Sequence, residues 1–409
     1  MEVLYPRCAG VDMHKDSVVA CVRIQGQNVE QIVETFGTTT QELERLEEHP
    51  SKHEVTHVAM EATGSYWKPV WNVLMAGFDL ILANAAHIKA VPGRKTDVND
   101  AVWIADLAAH GLIRPSFLPD GDIQALRDLT WTRKHLVRER ASHVNRIDKV
   151  LQPANIKLIS VLSDIVGLSG RSILNKLAEG ETKPAILVLL VHRNVRALGA
   201  KIVESLRGRL TSCQQFLLKV HLGQLDAIDA AMAEIDVEVG ERLRPFREAV
   251  EHLVTIPGVA AGCASVIVSE IGVDMSRFPS AAHLISWARL CPKNDESAGK
   301  RRSTRLRKGA PWLKTVLVQC AWAARNAKGT YLNALFRRLR GRRGPRKAIM
   351  AVAAAMLSSI YHMLKNNVGY RDLGPGHFNH IDRTRKAMRA MRDLDALGFD
   401  VTIVDRCAA

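Results

Sequence analysis

The chain has 409 residues, of which 47% are hydrophobic and 24% are charged, which is enough for two or three domains with cores of their own. No apolar run is long enough to span a bilayer and no signal peptide is visible, so a membrane protein is excluded and a soluble, cytoplasmic protein is expected. The formal net charge is +15, and the seven cysteines contain no Cys-x-x-Cys pair, which indicates a reducing compartment and argues against structural zinc.

Two predicted strands in the first quarter of the chain end in acidic residues. The segment from Cys8 to Ile24 has two apolar runs around a polar turn, which predicts a β-hairpin with Asp12 at the end of its first strand. A further strand, from His57 to Glu61, also ends in an acid. Because open α/β sheets bind ligands at the carboxyl ends of their strands, both acids are candidate site residues.

A helix that follows the next short strand adds two more acids. It opens with Thr96 or Asp97 as its cap, and Asp97 and Asp100 are three residues apart, so they share one face. Carboxylates suit Mg²⁺ or Mn²⁺, and a pair of such ions stabilises the attacking and leaving oxygens of a phosphoryl transfer. Asp16 is interpreted as a turn residue and Asp106 as a solvated helix position. The acids predicted to form one metal site are Asp12, Glu61, Asp97 and Asp100.

The middle of the chain, from Asp122 to about Arg247, is almost wholly helical in pattern. Apolar residues recur at steps of three and four from Leu222 to Leu243. This repeat predicts a helical spacer that pairs protomers as a coiled coil, with an intramolecular helical bundle as the alternative.

Three domains and a tail are predicted. Residues 1–118 alternate strand and helix patterns and form an α/β domain, which a proline-flanked break at 115–119 separates from the helical linker. The predicted ranges are 1–118 for the catalytic domain, 119–250 for the linker and oligomerisation region, 251–371 for a mainly α domain, and 372–409 for a polar tail.

The third domain contains a Pro-Gly turn before a helix, at Pro257 and Gly258. Such a turn leaves backbone N–H groups free to hold a DNA phosphate, as helix-hairpin-helix modules do, although a plain turn explains it equally well.

Ser297 lies in a loop of small residues beside a cluster of cations. A hydroxyl in that position can attack a phosphodiester, because neighbouring Lys and Arg stabilise the developing negative charge. Ser303 and Thr304 are local alternatives as the nucleophile.

The positive charge of the chain is concentrated near its carboxyl end. Between Glu296 and Asp372 there is no acidic residue but there are eighteen of the 57 Lys and Arg, so the remainder of the chain is slightly acidic. This is the electrostatic pattern of a protein that binds a polyanion. The residues expected to contact nucleic acid are Lys95, Pro257, Gly258, Lys300, Arg301, Arg302, Arg305, Arg307, Arg337, Arg338, Arg342 and Arg343.

Five segments together resemble the DEDD transposases of insertion sequence IS110 and the related Piv DNA invertases. The resemblance spans about residues 9 to 370, and its most specific part is the Lys-Thr-Asp-x-x-Asp-Ala signature. The segments are 10–16, 60–64, 95–101, 256–259 and 297–299.

The resemblance implies a RuvC-like domain of the RNase H type, a helical linker and a carboxyl-terminal transposase domain with a nucleophilic serine. Such enzymes move a mobile element by site-specific recombination between donor and target DNA, and many are guided by a noncoding bridge RNA. By similarity the four acids bind Mg²⁺ and Ser297 forms a covalent phosphoserine link to DNA. Two protomers form one composite centre, so a homodimer or homotetramer is implied.

Two other functions fit the same residues. A metal-dependent nuclease, such as a Holliday-junction resolvase, would use water as the nucleophile and would not need Ser297. A nucleic-acid-binding protein with a degenerate RNase H fold would bind without strand chemistry. The presence of all four acids favours the recombinase, and either transposition or inversion is compatible with it.

Overall fold

The computed structural model describes residues 2–62, 64–84, 88, 100–192, 199–292, 295–297, 300–303, 311–400 and 402, with the backbone alone described at 295–297, 300–303, 311 and 379–386. The chain separates into two compact units, Met1–Leu118 and Pro119–Ala409.

The first unit contains a five-stranded mixed sheet. Its strands are β1 (Arg7–Met13), β2 (Val18–Gln25), β3 (Val29–Phe36), β4 (His57–Glu61) and β5 (Asp79–Ala83). They lie in the order β3-β2-β1-β4-β5; the first three in sequence are antiparallel neighbours, whereas β4 is parallel to both β1 and β5. The predicted hairpin around Asp12 and the predicted strand ending at Glu61 are both confirmed.

In the described part of this unit, three helices cover the two faces of the sheet. They are α1 (Thr40–Lys52), α2 (Trp67–Leu74) and α3 (Asp100–Ala109). Leu46 of α1 and Leu74 of α2 pack on one face in a single core with Val11. Ile104 of α3 packs on the opposite face with Cys8. The unit is therefore an α/β domain, as the sequence predicts.

Helix α3 lies very close to β1 because residue 10 is glycine. A Cβ at Gly10 would collide with the backbone of Ala101 and Ala105. Small residues also line the rest of this contact, since Cys21 forms a buried cluster with the same two alanines. The distance between helix and sheet is thus set by residues with little or no side chain.

An ion pair fixes the same helix to the sheet. Arg23 on β2 has a side chain only 4% exposed, and its Nε donates a hydrogen bond to Asp106 Oδ1 on α3 at 2.8 Å. Gln31 Nε2 donates to the same oxygen at 3.2 Å. The interpretation of Asp106 as a solvated helix position is wrong, because its carboxylate neutralises a buried cation.

The second unit begins with two long antiparallel helices, and the described residues between them form three short α-helices. Arg133 of the first long helix pairs with Asp236 of the second at 2.9 Å, and Arg140, two turns later in the first helix, pairs with Asp229 at 2.7 Å. The later arginine thus pairs with the earlier aspartate, as antiparallel helices require. The helices are α4 (Gly121–Leu151), α5 (Leu168–Ala178), α6 (Pro184–Leu187), α7 (Gly199–Ser205) and α8 (Ser212–Arg242).

The apolar repeat of α8 is used largely within the chain. Leu222 and Leu225 are buried in one core with Ile147 and Leu151 of α4. This packing is the intramolecular alternative that the sequence left open, and a coiled coil between protomers stays a prediction.

The remaining elements are again mostly helical. Helix α14 lies in the segment that the sequence predicts only as a polar tail, so that description is incomplete. The elements are α9 (Arg247–Val254), α10 (Ala261–Ile271), α11 (Ala281–Trp287), β6 (Asp295–Ser297), β7 (Lys300–Ser303), α12 (Pro311–Ala324), α13 (Tyr331–Asn366) and α14 (His377–Asp395). Short 3₁₀ turns occur at Leu158–Ser160, Val188–Leu190, Arg244–Phe246 and Met275–Arg277.

Helix α13 is bent and forms much of the core of this part. It bends at Gly344, where φ is 76°, beside Pro345, which has no N–H to donate. Among the residues that the structure describes, it is the one helix long and apolar enough to cross a membrane by length and composition, but half of its most apolar stretch is buried inside the protein. The predicted packed helix over 348–357 is confirmed.

Gly10→Ala is expected to destabilise the first unit by about 2 kcal/mol, because the added methyl group overpacks the contact between α3 and β1. Urea unfolding followed by circular dichroism measures the change. Gly26→Ala is the matched control, since its Cβ would meet only the carbonyl oxygen of Asn28, at 3.6 Å. Identical unfolding midpoints for the two variants would contradict the role of Gly10.

Candidate functional site

Asp12 and Glu61 lie side by side at the carboxyl ends of two parallel strands. Gly10 of β1 pairs with Ala59 of β4, and each acid follows two residues later in its strand. Side chains alternate along a strand, so both acids point to the face on which Ala59 packs against α3. Glu61 is 9% exposed, and Asp12 Oδ2 lies 3.3 Å from His14 Nε2.

Helix α3 runs antiparallel to β1, so its first turn lies at the same end of the sheet as these acids. Cys8 Sγ donates a hydrogen bond to the carbonyl oxygen of Ala105 at 3.5 Å, whereas Gly10 also meets the backbone of Ala101, one turn earlier in the helix. Each step along this face of β1 therefore moves towards the start of α3. The next residue on the face, Asp12, is directed at the first turn of the helix.

Asp100 is the first described residue of α3 and thus lies towards this end of the sheet, with Asp12 and Glu61. The fourth predicted acid, Asp97, and the predicted phosphate contact Lys95 lie outside the described residues. Within the described part of the chain, no three His, Cys, Asp or Glu side chains come close enough together to hold a metal ion. The four-acid site stays a prediction, with three of its members placed on one face at one end of the sheet.

The chemistry of this donor set fits a hard divalent cation. Carboxylate oxygens are the protein ligands that Mg²⁺ uses, commonly one or two of them together with water and substrate phosphate. Asp12, Glu61 and Asp100 are the described carboxylates of the right chemistry for such an ion, but in this structure they do not form a group of three that could hold it.

Ser297 is the last residue of a short strand. Strands β6 and β7 form an antiparallel hairpin in which Ser297 pairs with Lys300, leaving two residues between them. The sequence predicts an irregular loop, which is wrong for the backbone of 295–297 and 300–303. The difference arises because the two strands are too short and too polar to show apolar alternation.

The side chains of the cationic residues in this hairpin are not described, and two further cations lie outside the described residues altogether. Their predicted contacts with nucleic acid therefore stay predictions. The hairpin residues are Lys300, Arg301 and Arg302, and the residues outside the description are Arg305 and Arg307.

The Pro257-Gly258 turn has a structural explanation. Gly258 has φ +88°, and a Cβ there would collide with the backbone of Cys320 and Ala324 in α12. The glycine thus allows α12 to approach the turn between α9 and α10. A phosphate contact at Pro257 and Gly258 stays a prediction.

The amino-terminal half of α13 presents the predicted cations to solvent. Arg337, Arg342 and Arg343 are exposed, and Arg338 is partly buried with its guanidinium carbon 4.8 Å from the centroid of the Phe378 ring. The nearby aromatic residue Phe336 is 4% exposed and belongs to the core. The cations, and not that ring, are the groups available to a partner.

The structure also brings together cations that the sequence analysis missed. Lys134 and Arg138 lie one turn apart on α4 and line a pocket with Trp131 and Trp312. The spacing of a tryptophan and two cations at successive turns could have indicated this surface. The distant Trp312 could not have been assigned to it from the sequence.

Comparison with known proteins places these features in a family. Residues 9–156 match the IS110 DEDD model, described as a transposase, and residues 250–337 match the model described as the transposase IS116/IS110/IS902 family. The two matches together cover more than half of the chain.

Two relatives agree with these matches. An insertion element IS110 uncharacterized 43.6 kDa protein of Streptomyces coelicolor is 27% identical over 310 residues, covering 69% of this chain and 74% of the relative. A probable family 20 transposase of Pseudomonas aeruginosa is 25% identical over 321 residues, covering 77% of this chain and 85% of the relative.

Transposases process DNA, so DNA is a substrate of this protein, and the DEDD name of the first model points to divalent metal use. The first match covers the α/β domain and the start of the helical part that follows it, and the second match lies in the helical carboxyl-terminal part. The chain belongs to the IS110 family of transposases.

Proposed function

We propose that the protein is a site-specific DNA recombinase that moves an insertion sequence by cleaving and rejoining DNA through a serine nucleophile, with a divalent metal at the DEDD acids. The observation that supports the proposal is the pairing of Gly10 with Ala59, since Asp12 and Glu61 each follow two residues later in neighbouring parallel strands, with helix α3 packed on the same face. The order of the sheet, an antiparallel three-strand meander followed by two parallel strands, supports an RNase H-like, RuvC-like fold.

The metal proposed here is Mg²⁺, or Mn²⁺ in its place, held by Asp12, Glu61, Asp97 and Asp100. Such an ion, when bound, stabilises negative charge on the phosphate oxygens during phosphoryl transfer. The protein's own contribution is to hold the carboxylates at fixed positions: strand pairing fixes the first two and the glycine contact fixes the start of α3.

Ser297 supplies the nucleophile. Its hydroxyl attacks the scissile phosphorus, forming an Oγ–P bond while one P–O bond to the neighbouring sugar breaks. The serine loses its proton and the departing sugar oxygen gains one. A sugar hydroxyl of the other DNA strand then attacks the phosphoserine and restores Ser297. Each step replaces one phosphate ester by another, so strand exchange needs no external energy source.

The further partners follow from the same proposal. The exposed cations of α13 contact the backbone of donor and target DNA and of a noncoding bridge RNA that selects the sites. The acids of one protomer act with Ser297 of another, so the active form is a homodimer or homotetramer.

Asp12→Asn is expected to lower recombination on the order of 100-fold, because it removes one negative ligand from a hard cation. The measurement is strand exchange between donor and target plasmids in cells that also transcribe the DNA flanking the gene. The matched control is Asp16→Asn, four residues away in an exposed turn, which should recombine at the normal rate. Normal recombination by Asp12→Asn would show that the proposed metal site has no part in the mechanism.

Ser297→Ala is expected to abolish covalent protein–DNA adducts, trapped by denaturing the protein during reaction, while leaving DNA binding within about twofold. Ser303→Ala, at the far end of the same hairpin, is the control and should still form adducts. Adducts that persist in Ser297→Ala but vanish in Ser303→Ala or Thr304→Ala would show that Ser303 or Thr304, and not Ser297, is the nucleophile. Hydrolysed DNA ends without any adduct in the unaltered protein would favour the nuclease alternative.

Reversing two charges, as Arg342→Glu with Arg343→Glu, is expected to reduce the slope of log affinity against log salt by about two units, one for each lost phosphate contact. Fluorescence anisotropy with duplex DNA from about 50 to 200 mM salt measures the slope. The control pair, Arg207→Glu with Arg209→Glu, changes the net charge equally at two exposed arginines outside α13. Equal slopes for the two double variants would exclude the α13 surface as the DNA contact.

A further inference from the structure

A pocket of about 570 Å³ opens in the second unit where α4, α8, α10 and α12 meet. We call it the α4–α12 pocket; its walls include Trp131, Lys134 and Arg138 of α4, Gly262 of α10 and Trp312 of α12. Its volume lies within the usual range for sites that hold a small molecule. None of these residues belongs to the acidic site or to the serine hairpin.

One wall of the pocket is aromatic. The rings of Trp131 and Trp312 are stacked, with centroids 5.3 Å apart and planes 17° apart. Trp131 is fixed in this orientation because its Nε1 donates a hydrogen bond to Glu270 Oε1 at 2.6 Å. A flat, rigid, partly exposed indole surface of this kind suits a stacked aromatic ligand.

Positive charge lies on the neighbouring wall. The guanidinium carbon of Arg138 is 5.2 Å from the centroid of the Trp312 ring, and Lys134 lines the pocket one turn before it. Asp236 also lines the pocket, but both of its oxygens accept hydrogen bonds from Arg133. The pocket therefore presents a net positive potential beside an aromatic surface.

The opposite wall is the start of α10, which carries Gly262 and Cys263. The pKa of the Cys263 thiol is lowered to about 6, first because the Cys320 thiol donates to it and also because of the backbone at Ala260 and the charge of Lys134. A Cβ at Gly262 would meet no atom within 4 Å, so this wall leaves open space for a ligand.

We propose that the α4–α12 pocket binds one unpaired nucleobase of a single-stranded nucleic acid, with the base against Trp312 and its phosphate beside Lys134 and Arg138. The aromatic wall selects a planar base and the cations select the adjoining phosphate. A base-paired duplex hides its base faces and cannot fill the site. The inference rests on the proposed function in one respect, namely that strand exchange exposes unpaired bases. Helix α12 begins eight residues after the last residue of the serine hairpin.

The pocket can be filled by a substitution that leaves all of its charged residues unchanged. Gly262→Leu places a side chain in the open space and also favours the helix, so the variant should fold. Gly223→Leu on α8 is the matched control, since a Cβ there also meets nothing within 4 Å and Gly223 does not line the pocket.

Binding of the full-length protein to oligonucleotides of about 12 nucleotides tests the proposal by fluorescence anisotropy. Gly262→Leu should weaken single-stranded binding about tenfold, the scale of one stacked base, and leave duplex binding unchanged. Single-stranded DNA and single-stranded RNA are tested separately. Weaker binding of either one by Gly262→Leu supports the proposal and shows which nucleic acid the pocket binds. An equal effect on duplex and single strands, or no difference from Gly223→Leu, overturns it.

Alkylation of the unaltered protein gives a second measurement that needs no variant. Cys263 lines the pocket, so a saturating single strand should slow its reaction with iodoacetamide, as read by mass spectrometry, while the exposed Cys213 reacts at an unchanged rate. Undiminished reaction of Cys263 would overturn the proposal. Neither measurement depends on recombination, so failure of the proposed function would be seen separately.

Discussion

The contact between α3 and β1 at Gly10 is the constraint on which the candidate catalytic end of the first unit depends. Strand pairing alone places Asp12 beside Glu61, but it says nothing about a helix that begins far along the chain. The absence of a Cβ at Gly10 lets the backbone of α3 approach the sheet. The buried pair of Arg23 with Asp106 then holds the helix at that position.

In the second unit, too, a glycine allows a helix to pack closely against a neighbouring backbone. Gly258 has a backbone conformation that other residues adopt rarely, and its missing side chain admits the backbone of α12. The same helix carries Trp312, two to three turns earlier, which stacks on Trp131 of α4. Two glycines, one in each unit, thus each allow a helix to approach a neighbouring backbone closely.

The sequence predicts elements well where the pattern is local. Alternation of apolar residues locates the strands that carry Asp12 and Glu61, and period-3.6 patterns locate the long helices. The sequence pattern predicts a loop at Ser297 because β6 and β7 are too short and polar to show alternation. It predicts a solvated Asp106 because the partner of that carboxylate, Arg23, lies on a strand 83 residues away.

Which acids come together at one end of the sheet likewise depends on tertiary packing and not on local sequence pattern. Asp100 can be placed at the start of a helix from sequence, but its relation to β1 follows only from which strand residues lack side chains. For the same reason the α4–α12 pocket could not be predicted, since Trp131 and Trp312 come from distant helices. Family resemblance supplied what local pattern could not: the role expected of the acids and of the serine.

The acidic site is tested most directly by soaking crystals of the protein with Mn²⁺ and recording anomalous diffraction at the manganese edge. The account predicts a peak in contact with carboxylate oxygens of Asp12 and of Asp97 or Asp100, at the carboxyl end of β1. Well-ordered carboxylates that point away from one another, with no anomalous peak between them, would contradict it.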